Sequence, residues 1–334
     1  MRRRIQEPAL VNAPRSFDEK RARLRELYDL PDEARRELPK YLGDKNPYLV
    51  GEAAECAKKH ELEELRPQLV AAFFRLIDEV GNADRGCFGK FKVIDTLVAL
   101  SAFEPDVYLR GLHHRQWEGA FPKPIDVAGA LRGLCAHALL RIRYREALLD
   151  VVPLLFDEVA VTRTETANAL GQSGLEGAAA ALHIKALVGD QEADVMGAVY
   201  KALLEIQPTR YLPFVENALL TGSESDVDAA ALAIGEARPA GGFDTLKKAA
   251  DAPNRARSLE AIYLALALLR APQAIEHLVQ IADKSPEARA KLAVSALALH
   301  RHDKTLAARI ADIANRRKGA VAEAFDSKFN TGPG

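Results

Sequence analysis

From residue 125 onward, stretches rich in apolar residues alternate with short breaks carrying Gly, Pro, Asp or Ser, the pattern that antiparallel helix hairpins leave in a sequence. An Ala followed by Leu or Ile recurs near the end of alternate stretches: Ala99-Leu100, Ala138-Leu139, Ala169-Leu170, Ala202-Leu203, Ala233-Ile234, Ala267-Leu268 and Ala298-Leu299. The successive intervals are 39, 31, 33, 31, 34 and 31 residues. Such a period holds two helices and two turns, and one pair alone would leave an apolar face in water, so the pairs must stack. The second helix of each pair is expected over 62–79, 104–116, 144–158, 176–189, 209–221, 243–251, 272–283 and 304–317. Pro208, Pro239, Pro272 and Pro286 fall at the expected breaks or first turns, where a missing N–H is tolerated. The expected architecture is all-α: a right-handed α-α superhelix, a solenoid of about eight helix pairs with no β-sheet.

The two ends depart from this regularity. Residues 1–16 carry three consecutive Arg and two Pro without a helical apolar stripe, and are expected to form a mobile arm. Leu24, Leu27, Tyr28, Leu38, Tyr41 and Leu42 then supply the apolar side of a capping segment, opening a single solenoid expected over 17–318. Residues 319–334 run from a Gly to a terminal Thr-Gly-Pro-Gly and are expected to fray, with one last turn at most over Ala320 to Phe325.

The segment Thr162-Arg163-Thr164-Glu165-Thr166-Ala167-Asn168-Ala169-Leu170-Gly171-Gln172-Ser173-Gly174, followed by Leu175 to Leu187, is similar to the bacterial HEAT-like repeat of the phycobilisome-lyase type, and Leu131 to Leu139 fits the same template one repeat earlier. The resemblance implies small residues where neighbouring helices touch and an early Arg joining a polar ladder between repeats, a position matched by Arg132 and Arg163 and occupied near Met196 and Val227 by apolar residues. The Trp, Gly, Tyr and Pro positions of tetratricopeptide repeats do not recur in phase. A lyase-like activity is implied by the repeat family's name alone.

Composition sharpens the picture. Apolar residues make up 48% of the 334 and aromatics 6%, so Ala and Leu supply the core, as close helix contacts require. The net charge is −1 but unevenly spread: residues 85–145 hold ten basic and five acidic side chains, residues 146–236 four basic and fifteen acidic, and residues 237–334 sixteen basic and ten acidic. Such a chain is not wholly devoted to polyanions. Cys56, Cys87 and Cys135 form no CxxC, which disfavours a metal knuckle or disulfide framework and suits a reducing cytoplasm. No apolar run approaches a membrane span; the longest, Ile262 to Leu269, is too short.

Candidate chemistry gathers where the 39-residue interval inserts extra length, between Gly111 and Asp126. In a recognition site, Trp117 supplies a flat apolar surface while His113, His114, Arg115, Gln116, Glu118, Asp126 and the nearby Arg132 supply oriented polar groups. In a packing role, Trp117 and Phe121 plug the groove between units and Asp126 caps the next helix. Lys90, Lys92, Arg115 and Arg132, with Phe88 and Phe91 near by, could instead track a nucleic-acid backbone, against repulsion from the acidic units that follow. His300-Arg301-His302-Asp303 lies in an expected turn and lacks a third ligand at metal spacing, and no nucleophile elbow or phosphate loop occurs. The expectation is a non-enzymatic scaffold for a protein partner, without cofactor or metal; nucleic-acid binding and a lyase-like enzyme are the alternatives.

Overall fold

The computed structural model describes residues 16–79 and 83–329. The chain is an all-α helical-repeat solenoid, with 79% of the described residues helical, and it divides at Tyr144 into two compact units. The first unit holds α1 (Phe17–Leu27), α2 (Pro31–Leu42), α3 (Pro47–Lys59), α4 (Arg66–Asp78), α5 (Phe88–Ala99), α6 (Pro105–Leu112) and α7 (Gly129–Arg141). The second holds α8 (Ala147–Val151), α9 (Ala160–Ser173), α10 (Glu176–Val188), α11 (Ala193–Ile206), α12 (Pro208–Thr221), α13 (Glu224–Ala237), α14 (Gly242–Asp251), α15 (Leu259–Leu268), α16 (Pro272–Lys284), α17 (Glu287–Leu297), α18 (Lys304–Arg317) and α19 (Gly319–Phe329). No described helix is long and apolar enough to cross a membrane.

Helix starts follow local chemistry. Proline opens the first turn of α2, α3, α4, α6, α12 and α16, where the missing N–H has no intrahelical partner to lose. Ser16 and Glu19 form a capping box on α1, and Ser223 and Asp226 another on α13. The eight expected second helices correspond to α4, α6, α8 with its 3-10 extension Val152–Phe156, α10, α12, α14, α16 and α18. Helix α6 stops at Leu112, short of the expected 116, because the chain leaves there for the inserted segment.

The first helices of successive pairs stack into one layer, α3 on α5 on α7 in the first unit and α9, α11, α13, α15, α17 and α19 in turn in the second. Small residues make those contacts. Gly171 of α9 sits against Ala202 of α11, and Gly235 of α13 against the backbone of Ala265 in α15, each directly after or beside a recurrent Ala-Leu or Ala-Ile. The second helices form the other layer, as in α2, α4 and α6. Ion pairs cross this layer at the repeat distance: Arg110 to Asp78 at 2.9 Å, Lys248 to Glu216 at 2.8 Å, Arg309 to Glu276 at 2.8 Å and Arg316 to Asp283 at 2.9 Å. Being exposed, each contributes little stability; together they mark a stacking step of 32 or 33 residues.

The two arginines at the repeat's Arg position pair differently: Arg163 forks onto both oxygens of Asp190 at 2.7 Å, whereas Arg132 turns to Asp126. Several expectations are corrected. Among residues 319–334, the described part is a helix, α19, which buries Val321 and Ala324, because a stripe of small apolar residues finds α17 to pack on; residues 330–334 lie outside the described residues. The expected arm over 1–16 lies outside them too, except for the cap Ser16. Strands were not expected, yet a two-stranded hairpin stands in the inserted segment.

Candidate functional site

The inserted segment is built around that hairpin. Trp117–Glu118 pairs antiparallel with Ile125–Asp126, Trp117 opposite Asp126 and Glu118 opposite Ile125, leaving Gly119 to Pro124 as the tip. Cross-strand partners share a face, so Trp117 and Ile125 point to opposite faces. The Asp126 carboxylate closes the base: Oδ1 accepts the Gln116 N–H at 3.1 Å and the Ala128 N–H at 3.0 Å. Asp126 therefore binds the amide of the residue leading into α7, not the first-turn amides that a helix cap would hold.

Beneath the base lies a fully buried cation. Arg132 is 0% exposed; its Nη1 lies 2.7 Å from Asp126 Oδ2 and donates to the His114 carbonyl at 3.0 Å. The Asp126 side chain is itself only 3% exposed. One arginine thus ties the returning strand to the chain just before the outgoing one, from the first turn of α7.

A second buried group grips the outgoing strand. Gln116 donates Nε2–H to the Asp84 carbonyl at 2.7 Å and to Glu118 Oε1 at 2.8 Å, while its Oε1 accepts from Lys90 Nζ at 3.0 Å and Cys87 Sγ at 3.3 Å. Lys90 pairs with Asp84 at 3.3 Å, and Asp84 also accepts the Gly89 and Lys90 amides at 2.7 and 3.0 Å. Glu118 accepts the Gly86 N–H at 2.7 Å; that bond first, then the one from Gln116, holds its carboxyl below the usual range. Burial pushes the Cys87 thiol up to about 12, so it is a weak hydrogen-bond donor and no ready nucleophile. Burial likewise lowers the pKa of His114, whose Nε2 lies 3.4 Å from Gln116 Oε1.

The predicted residues thus fall into two groups. Gln116, Asp126 and Arg132 form an interior frame, and His114 is half-buried against it. His113 and Arg115 are exposed, with Arg115 Nε 3.8 Å from Asp126. Trp117 is 52% exposed, Ile125 55% and Phe121 fully so, so none of the three is buried as an inter-repeat plug would be. The four cations named for nucleic acid do not come together. Lys90 and Arg132 are interior, and Lys92 is paired with Glu55 at 2.7 Å, so these four cations share no open face with which to meet phosphate. Asp303 caps α18, and no group of three potential metal ligands occurs among the described residues. Sequence reasoning missed Asp84, Gly86 and Cys87, which hold the hairpin from the loop before α5; the one local signal was Asp84-Arg85-Gly86, a turn-forming string.

No protein-family model and no curated protein matches the chain. Among solved structures it is similar to the complex of CpcE and CpcF of phycocyanin lyase from Nostoc sp. PCC7120, at 18% identity and a TM-score of 0.36 over 97% of this chain and 99% of that one. It is also similar to human deoxyhypusine hydroxylase in complex with glycerol, at 16% identity and a TM-score of 0.33 over 80% of this chain and 96% of that one. Both names are those of enzymes, and against them the expectation that the chain is not an enzyme is withdrawn. Likeness at this level transfers no reaction to this chain.

Proposed function

We propose that this solenoid binds a protein partner through the hairpin of residues 113–126. Trp117, Phe121 and Ile125 make the contact; Gln116, Asp126 and Arg132 hold its direction. The observation that carries the reading is the contrast between tip and base. Three large apolar side chains stand in solvent on a two-stranded finger, while its base is fixed by charged groups almost wholly withdrawn from water. Aromatic anchors held rigidly at low entropic cost are what binding hot spots are made of. Because Trp117 and Ile125 point to opposite faces, the finger suits a cleft that closes on both sides better than a flat surface.

Affinity isolation with the wild-type chain and with Trp117→Ala and Phe121→Ala tests this. The expected result is a co-purifying protein, retained after nuclease treatment, whose binding falls by at least about tenfold in each variant. The thermal midpoint should stay close to that of the wild type, since both side chains are mostly in solvent already. A partner that binds the wild type and both variants equally would defeat the proposal, as would binding that nuclease abolishes.

A further inference from the structure

A second exposed apolar surface lies in the second unit. Helix α10 buries Ala178, Ala179 and Leu182 on one side, but its other side is not polar: Ala180 is exposed, and Ile184, Leu187 and Val188 are 57%, 68% and 67% exposed. Their spacing of three and four residues makes one stripe, where a helix facing water would carry charge. Phe156, 52% exposed, borders it, its ring 5.1 Å from Lys185 Nζ.

The charges in the sequence that carries this stripe are mostly of one sign. From 146 to 200 the only cations are Arg163 and Lys185, and both are spent on Asp190, at 2.7 and 2.6 Å, with side chains 14% and 5% exposed. Exposed Glu146, Glu158, Glu176, Glu192 and Asp194 have no such neutralising neighbour within that stretch. In the following repeat, Arg210 over the Tyr211 ring is an exposed cation, outnumbered by these five carboxylates. An apolar stripe with an acidic surround repels a second copy of itself in a two-fold contact, which would set carboxylates against carboxylates, and it repels anionic lipid headgroups for the same reason.

We propose that α10 and Phe156 form a docking face for an amphipathic helix of a partner protein whose apolar side is flanked by lysine or arginine. This face is separate from the hairpin. Binding to the full-length chain is measured by fluorescence anisotropy with two synthetic helical peptides of about 18 residues, long enough to run the length of α10. Both carry Leu and Ile on one side; one is flanked by Lys, the other by Glu. The Lys peptide should bind at least about tenfold more tightly, and salt should weaken it. Ile184→Ser with Leu187→Ser should cut its affinity by at least about tenfold while leaving helical content unchanged. Trp117→Ala should leave it untouched, which separates this face from the hairpin. The proposal is overturned if the Lys peptide does not bind, if the Glu peptide binds equally well, or if the double variant binds like the wild type. A wild-type dimer that the double variant abolishes would overturn it in favour of self-association.

Discussion

Replacing Arg132 by Met would test whether the buried ion pair orients the hairpin. Met fills much of the same volume, so the change removes charge and hydrogen bonds more than packing. Asp126 Oδ2, paired at 2.7 Å, and the His114 carbonyl, bonded at 3.0 Å, then lose this donor. The Asp126 carboxylate cannot turn to water from a side chain 3% exposed, and it keeps the amides of Gln116 and Ala128 and, at 3.8 Å, the more distant Arg115 Nε. Removing one partner of such a pair costs about 3–5 kcal/mol. Trp117 is the only tryptophan, so its emission reports the hairpin while circular dichroism reports the helices. In urea the Trp117 transition should move down by more than about 1 M, given an ordinary denaturant slope. Adding Asp126→Asn should recover part of the loss, with a coupling above about 1 kcal/mol in the double-mutant cycle. If Arg132→Met costs less than about 1 kcal/mol by both signals, or Trp117 emission is unmoved, the pair does not hold the finger.

Two further outcomes follow from the stacking and from the buried carboxylate of the second unit. A β-carbon at Gly235 would sit 2.6 Å from the Ala265 carbonyl oxygen and 2.7 Å from its Cα, backbone that cannot turn aside, so Gly235→Ala should lower the thermal midpoint at a cost of about 1–3 kcal/mol; an unchanged midpoint would mean that α13 and α15 part freely. For Asp190, burial is the largest single influence and pushes its carboxyl up, but hydrogen bonds from Arg163, Lys185 and the Glu192 amide outweigh it and hold the pKa well below the usual carboxylate range. The folded value being depressed, this stabilisation is present above the ordinary Asp value near about 4 and is lost as pH falls below it. The wild type should therefore lose more unfolding free energy between about pH 5 and pH 3 than Asp190→Asn does, and parallel pH profiles would refute the assignment.

Most of the helical array was legible because two independent signals agreed, the apolar period and the Pro, Ser and Gly that punctuate it. The register was less secure where the sequence repeats itself. At 265–268 and again at 296–299 the chain reads Ala-Leu-Ala-Leu, and either pair could be the one that recurs. The structure buries Leu266 and Leu297 completely and leaves Leu299 43% exposed, so the earlier pair faces the core in both helices. Choosing the later pair at 267 is what lengthened the interval before it to 34 residues. The site was visible as a place, through its extra length and its Trp117, but not as an arrangement. Arg132 and Lys90 look like surface cations in a linear reading, and only the fold shows each one facing a carboxylate, Asp126 or Asp84, that lies six residues back along the chain. Tertiary pairing decides burial there, and neither periodicity nor composition contains it.

The distribution of buried polarity bears on why the two apolar surfaces are held as they are. Helix stacking in this chain runs on Ala, Leu and Gly and needs no charge in the interior. Yet eleven polar or charged residues are buried among the described residues, and six fall in two places. Asp84, Lys90, Gln116 and Arg132 lie beneath the hairpin; Lys185 lies on α10 itself and Asp157 directly follows Phe156. Burying such groups is costly unless each finds a partner, and apolar residues of similar size would stabilise the fold as well or better. Their return is directional: a forked arginine or a multiply bonded carboxylate accepts one geometry, where a leucine accepts several. Rigid support is placed under the two surfaces where apolar side chains face water, which is where fixing an orientation before a partner arrives lowers the entropic cost of binding.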